Sequence, residues 1–156
     1  MNEEPYDSTE DTKKHITTVR RALQEVVANF NQRALFHDRS KLEEPEKACF
    51  DLMTPRLKHL KYGSDEYKAS LREIKPALAH HYRENDHHPE HYGEEGILGM
   101  SMMAIIEMLC DWKAAGERHD PPTGLYQSIA YNSVRFKIPA YLTQIFYNTA
   151  KELGWE

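Results

Sequence analysis

Apolar residues recur three and four positions apart along most of this chain, and strict alternation is scarce. That periodicity predicts an all-α fold, a bundle of about six to seven helices. Ile16, Val19, Leu23, Val26, Val27 and Phe30 make the first stripe, and Ser8-Thr9-Glu10-Asp11 ahead of it resembles a capping box. A helix is predicted from there to about Phe30. His15 lies on the edge of its stripe, one turn before Val19, and is expected to face inward. A short helix is expected over 32–38. Pro45 suits the first turn of a third, with Ala48, Cys49, Leu52 and Met53 inward and Pro55 as a kink or break. Gly63-Ser64-Asp65 then reads as a stop and restart, opening a helix over 65–83 that bends near Pro76 and ends on His80 and His81.

Residues 85–99 form the longest irregular stretch, and a loop of that length in a compact domain is commonly functional. From about Met100 to Ala115 the pattern is strongly helical, with Met100, Met103, Glu107, Cys110, Asp111 and Ala114 on one face. Pro121-Pro122-Thr123-Gly124 is a firm break. Two closing helices are expected, about 124–134 and from Pro139 to about Leu153. Tyr126, Ile129, Val134, Phe136, Leu142, Ile145 and Phe146 should pack across the bundle. These helices either cap the bundle or form a homodimer contact. The whole of 1–156 reads as one domain, with 1–7 expected to be flexible.

Composition narrows the class of function. With 40% hydrophobic and 29% charged residues the chain fits a soluble domain, and no apolar run approaches the roughly 20 residues needed to span a membrane. The start, Met1-Asn2-Glu3-Glu4-Pro5, lacks the basic and apolar regions of a signal peptide. Two cysteines, Cys49 and Cys110, do not suggest a disulfide framework, so a cytoplasmic setting is expected. A net charge of −5 argues against coating nucleic acid. A small phosphorylated substrate stays open, because a divalent cation reverses the local field.

Nine histidines are the oddity. His37 and Asp38 are adjacent, so on a helix they flank one line about 100° apart and can share an ion on it. Lys41 follows; it is either a solvated lysine or a point charge for phosphate. His80 and His81 cannot both point one way, whereas His87 and His88 sit in a loop that can turn either ring to a site. Metal ligation by at least two of these four is expected. Glu107 and Asp111 are one turn apart on an apolar face, where each needs a cation, an imidazole or a metal as partner. No Gly-rich phosphate loop, GxSxG, HExxH or zinc-finger cysteine pair is present.

His15, then His37-Asp38, then further histidines, then Asp111 is similar to the ligand order of the HD-domain superfamily of metallohydrolases. His-Asp-x-Ser-Lys at 37–41 also resembles the His-Asp-x-Gly-Lys of cyclic-dinucleotide phosphodiesterases in that superfamily, although the Gly-Tyr-Pro motif of those enzymes is missing. More narrowly, His37 to Lys41, His80-His81, Asn85 to His88 and Glu107 to Trp112 resemble a family of small phage and bacterial proteins without an assigned function. The resemblance implies an HD-like helical bundle and a phosphohydrolase using one or two divalent ions (Mn, Fe, Zn, Co, Ni or Mg) on a nucleotide or related phosphoester. His15, His37, Asp38 and Asp111 would hold the first ion. His80 or His81, with His87 or His88, would hold a second ion or bind substrate. Lys41 and Arg83 would neutralise phosphate, and Glu107 would orient a ligand or accept a proton beside Asp38. Two other readings fit the same residues: an HD-type di-iron oxygenase, and a non-catalytic, metal-pinned interaction protein of phage origin.

Overall fold

The computed structural model describes residues 6–60, 64–118 and 122–155. Among them are seven α-helices and no strand: α1 Thr9–Phe36, α2 Glu46–Leu57, α3 Asp65–Glu73, α4 Lys75–Glu84, α5 Met102–Glu117, α6 Leu125–Arg135 and α7 Ala140–Glu152. The expected flexibility of 1–7 falls mostly outside the described residues, as do Gly63 and the segment 119–121. The chain divides between Phe36 and His37 into two compact units.

The first unit is α1 alone. It is one helix of 28 residues, not two. Residues 31–36 contain neither Gly nor Pro, so nothing interrupts the hydrogen-bond ladder where a break was expected. No residue of α1 is buried, and Ile16, Val19, Leu23 and Val27 are exposed. His15, expected to face inward, is exposed on this helix. A lone helix has no second element of its own unit on which to bury its stripe.

The second unit begins with a sharp reversal. Asp38 adopts a left-handed backbone, φ 54°, and a single 3-10 turn over Arg39–Leu42 follows. His37 and Asp38 therefore sit in a turn after α1 and not on a helix. Aspartate tolerates this conformation better than most residues. α2 packs on that turn and on α4. Pro55 lies in the last turn of α2 without breaking it. Of the four residues expected inward only Met53 is buried, and Leu52 is exposed. The predicted helix over 65–83 is two: Ser64 caps α3 by accepting from the Tyr67 amide at 3.2 Å, and α4 restarts with Pro76 in its first turn.

The loop at 85–99 is tightened by 3-10 turns over Pro89–Tyr92 and Gly96–Gly99. Ser101 caps α5 through the Ala104 amide. The apolar core lies on one side of α5, where Ala104, Ile105, Met108, Leu109 and Trp112 meet Leu125 and Ile129 of α6 and Phe146 and Ala150 of α7. Val134 and Ile145 were expected to pack, yet both are exposed. α6 runs back along α5. Gly116 faces Ser128 at one end, and the Trp112 and Phe136 rings stack with centroids 6.4 Å apart at the other. A Cβ at Gly116 would stand 2.3 Å from the Thr123 carbonyl, so any side chain there would displace the backbone that leads into α6. The opposite side of α5 carries Glu107 and Asp111, and it faces the histidines.

Candidate metal centre

Three segments of the second unit converge: the turn at His37–Lys41, the end of α4 with the loop after it, and the polar face of α5. Asp38 Oδ1 lies 3.3 Å from His81 Nε2 and 3.5 Å from His87 Nε2. His81 Nε2 lies 2.9 Å from His88 Nε2. These four residues present one ligand atom each within 4.8 Å of one another. Two further groups with the same property overlap the first, His37/His87/Glu107 and His37/Asp38/Asp111. His81 and His87 are almost fully buried.

The spacing suits an ion. Imidazole nitrogens bind a metal such as zinc at about 2.0–2.1 Å, which puts neighbouring ligand atoms about 2.9–3.4 Å apart in octahedral or tetrahedral geometry. Asp38 Oδ1 and His87 Nε2 are buried without a hydrogen-bond partner among the described residues, and such atoms are costly unless something fills the gap. The donor set, imidazole with carboxylate, suits zinc, manganese, iron or nickel. On these grounds the residues fit a divalent cation.

Each ring is oriented by its other nitrogen. Glu46 is completely buried at the start of α2, and its two carboxylate oxygens accept from His80 Nδ1 at 2.7 Å and His81 Nδ1 at 2.9 Å. Asn85 donates its amide hydrogens to Ser40 Oγ and to the His81 carbonyl, both at 2.8 Å. It therefore has none left for the His81 ring, and His81 Nδ1 is the donor to Glu46. The lone pair of His81 Nε2 then faces the cluster. On the other side, Glu107 Oε1 accepts from His37 Nδ1 at 2.8 Å and lies 3.2 Å from His87 Nδ1.

The charges follow from these contacts. Asp111 and Glu107 hold His37 protonated, raising its pKa to about 10. Burial pushes His88 down to about 3, helped by His87 and His81. Burial likewise lowers His81, with Lys41 reinforcing it. For Asp38 burial is the largest single influence and acts upward, yet His87, Lys41 and His37 together outweigh it and hold the carboxyl low. Lys41 Nζ donates to Asp38 Oδ2 at 2.5 Å and lies above the Phe50 ring.

A cavity of about 590 Å³ opens beside the cluster; Lys41, His81, His88 and Asp111 line its near wall. Of the residues singled out from sequence, His37, Asp38, Lys41, His81, His87, His88, Glu107 and Asp111 come together. His80 is turned aside onto Glu46 and belongs to none of the three groups. Arg83 is exposed, donates to Glu84 and does not line the cavity. His15 lies on α1, and all three groups are drawn from the second unit. Glu46 was missed. Next to Pro45 at a helix start it reads as an acid placed for the helix dipole, and no sequence signal separates that role from burial.

Glu46→Gln leaves the shape but places an NH2 where one imidazole donates. Metal affinity of the stripped protein is expected to fall about 10–100-fold, the usual cost of losing a partner that orients a ligand. Titration with Zn²⁺ or Mn²⁺ reads this; unchanged affinity would remove Glu46 from any role at the site.

These features define an all-helical protein with a buried histidine–carboxylate cluster able to hold a metal ion. The chain belongs to the Family of unknown function (DUF5662), whose model matches residues 4–153. No curated protein and no solved structure matches it. No helix among the described residues is long and apolar enough to cross a membrane.

Proposed function

We propose that this protein is a metal-dependent phosphohydrolase of the HD type, acting on a nucleotide or a related small phosphoester. The observation that carries the reading is the meeting of Asp38, His81, His87 and His88 at ligand spacing beside a cavity whose wall includes His81, His88 and Lys41. The His-Asp doublet followed by histidines and a late Asp supports the superfamily. Asp38 Oδ1 faces His81 and His87, while Oδ2 lies 3.6 Å from His37 Nε2, so this carboxylate has one oxygen for each neighbouring group. That division supports a second ion near His37 and Asp111 as well as a first.

A bound divalent ion supplies an acidified water near neutral pH and polarises a phosphoryl oxygen. The chain's own groups do the rest. Lys41 brings a fixed positive charge to the cavity wall, where it neutralises phosphate. Glu107 holds His37 and His87 through their Nδ1 atoms and can take a proton when one of them lets go. Burial of His81 and His87 keeps bulk water from competing for the ligand atoms.

Protein purified without a histidine tag is expected to carry about one or two equivalents of transition metal by elemental analysis. After loading with Mn²⁺ it is expected to release phosphate from nucleoside monophosphates. Bound metal with no phosphate release, together with uptake of dioxygen by the iron form, would favour the oxygenase reading. Absence of metal after incubation with Mn²⁺, Fe²⁺ and Zn²⁺ would overturn both.

A further inference from the structure

Asn132 lies on α6 and lines the cavity, is only 1% exposed, and neither its Oδ1 nor its Nδ2 has a hydrogen-bond partner among the described residues. An amide in that position loses its hydration and recovers nothing within the protein, which costs stability for each unpaired group. Such groups are few in folded chains, and each calls for a partner.

Its place along the cavity is fixed by the two contacts that align α5 and α6. Gly116 faces Ser128, and Trp112 stacks with Phe136. Asn132 is midway between Ser128 and Phe136, so it stands level with α5 residues 112–116. That is within about one helical turn, roughly 5 Å along the axis, of Asp111 in the cluster. Four aromatic rings, Phe50, Tyr67, Tyr82 and Phe136, line the same cavity. Arg135, the neighbour of Asn132 on the cavity wall, is tied to Glu90 at 2.6 Å, which leaves the amide as the uncommitted polar group on this stretch of α6.

An asparagine side chain offers one acceptor and one donor side by side in a plane. Its complement is a planar group with a donor next to an acceptor, the pattern of a lactam, an amidine or a nucleobase edge. We propose that Asn132 is the specificity-determining residue of this cavity and pairs with the donor–acceptor edge of a nucleobase whose phosphate end lies at the histidine cluster. This deepens the phosphohydrolase reading and rests on it for the phosphate end only. The base end rests on the buried amide and the aromatic walls.

The test uses the full-length chain, wild type and Asn132→Leu, which is close in size and has no polar atoms. Without ligand the variant is expected to melt at or above the wild-type temperature, because an unsatisfied amide has been removed. Calorimetric titration of metal-free protein with adenosine, guanosine, cytidine and uridine is expected to show binding of at least one by the wild type, weakened about 10–100-fold in the variant. A lower melting temperature with unchanged nucleoside binding would make Asn132 a structural residue and overturn the proposal. So would failure of the wild type to bind any of the four. Ribose 5-phosphate with Mn²⁺-loaded wild type probes the other end. If it binds while no nucleoside does, the base subsite falls and the phosphohydrolase reading survives. If a nucleoside binds through Asn132 and ribose 5-phosphate does not, the subsite stands and the phosphate reading falls.

Discussion

Asp38→Ala is expected to hold no metal and to lose at least about a thousandfold in phosphoester turnover, with its helical circular dichroism unchanged. Asp38 belongs to two of the three ligand groups, and its two oxygens face different partners, so no neighbour replaces it. Preorganised charge at a reacting centre is commonly worth factors of 10²–10³, and loss of the ion adds to this. The residue lies in a turn, outside every helix, so the helices have no reason to change. Alanine is less at ease than aspartate at a positive φ, which costs about 1 kcal/mol, so a small fall in melting temperature is part of the expectation. Asp38→Asn separates the effects: it keeps the turn and removes the charge. Metal retained at wild-type stoichiometry with turnover intact in the alanine variant would refute the site as drawn.

Metal binding is expected to expel about one proton per protein near pH 8, chiefly from His37. His87 adds to it, because burial acts downward on its pKa but Asp38 and Glu107 outweigh that effect and raise it as well. In the metal-free protein Asp111 and Glu107 raise the pKa of His37 from 6.5 to about 10, so at neutral pH the ring is charged and its Nε2 is blocked to a metal. Affinity should therefore rise about tenfold per pH unit across pH 7–9. His88 contributes no such proton, because burial has already brought it to about 3. The same shifts set the stability of the metal-free form. A raised histidine stabilises fully below its unfolded pKa of 6.5 and loses that contribution as pH climbs through about 10. A depressed histidine acts in the opposite sense, and His88 withdraws its contribution as pH falls from about 6.5 toward 3. Stability without metal should peak near neutrality. Calorimetric titration with Mn²⁺ in buffers of differing ionisation enthalpy counts the proton; a count of zero at pH 8 would mean that an ion binds without using His37.

The helical class was legible because the apolar spacing left no room for strands, and the chemistry-bearing residues announced themselves as unusual types in unusual places. Glu107 and Asp111 on an otherwise apolar face needed partners, and the histidines at 81, 87 and 88 stand where such partners would be. Local patterning could not reveal where the chain turns. The break after Phe30 did not occur because Asn31 and Gln32 are tolerated in a helix, while the real reversal came at Asp38, where a left-handed residue carries no mark in sequence. Exposure along α1 was equally hidden, since a stripe specifies a face and not its partner. Glu46 and Asn132 were invisible for a related reason: both are ordinary polar residues at helical positions, and only long-range packing buries them.

One carboxylate holding two consecutive imidazoles has an evolutionary and engineering consequence. His80 and His81 point about 100° apart on α4, and Glu46 reaches both. The pair works as a register pin. Exchange of surface residues on α4 leaves it untouched, but inserting or deleting a single residue between Ile74 and His80 would rotate the helix by one position and hand the wrong ring to the cluster. The segment should accept changes of letter far more readily than changes of length.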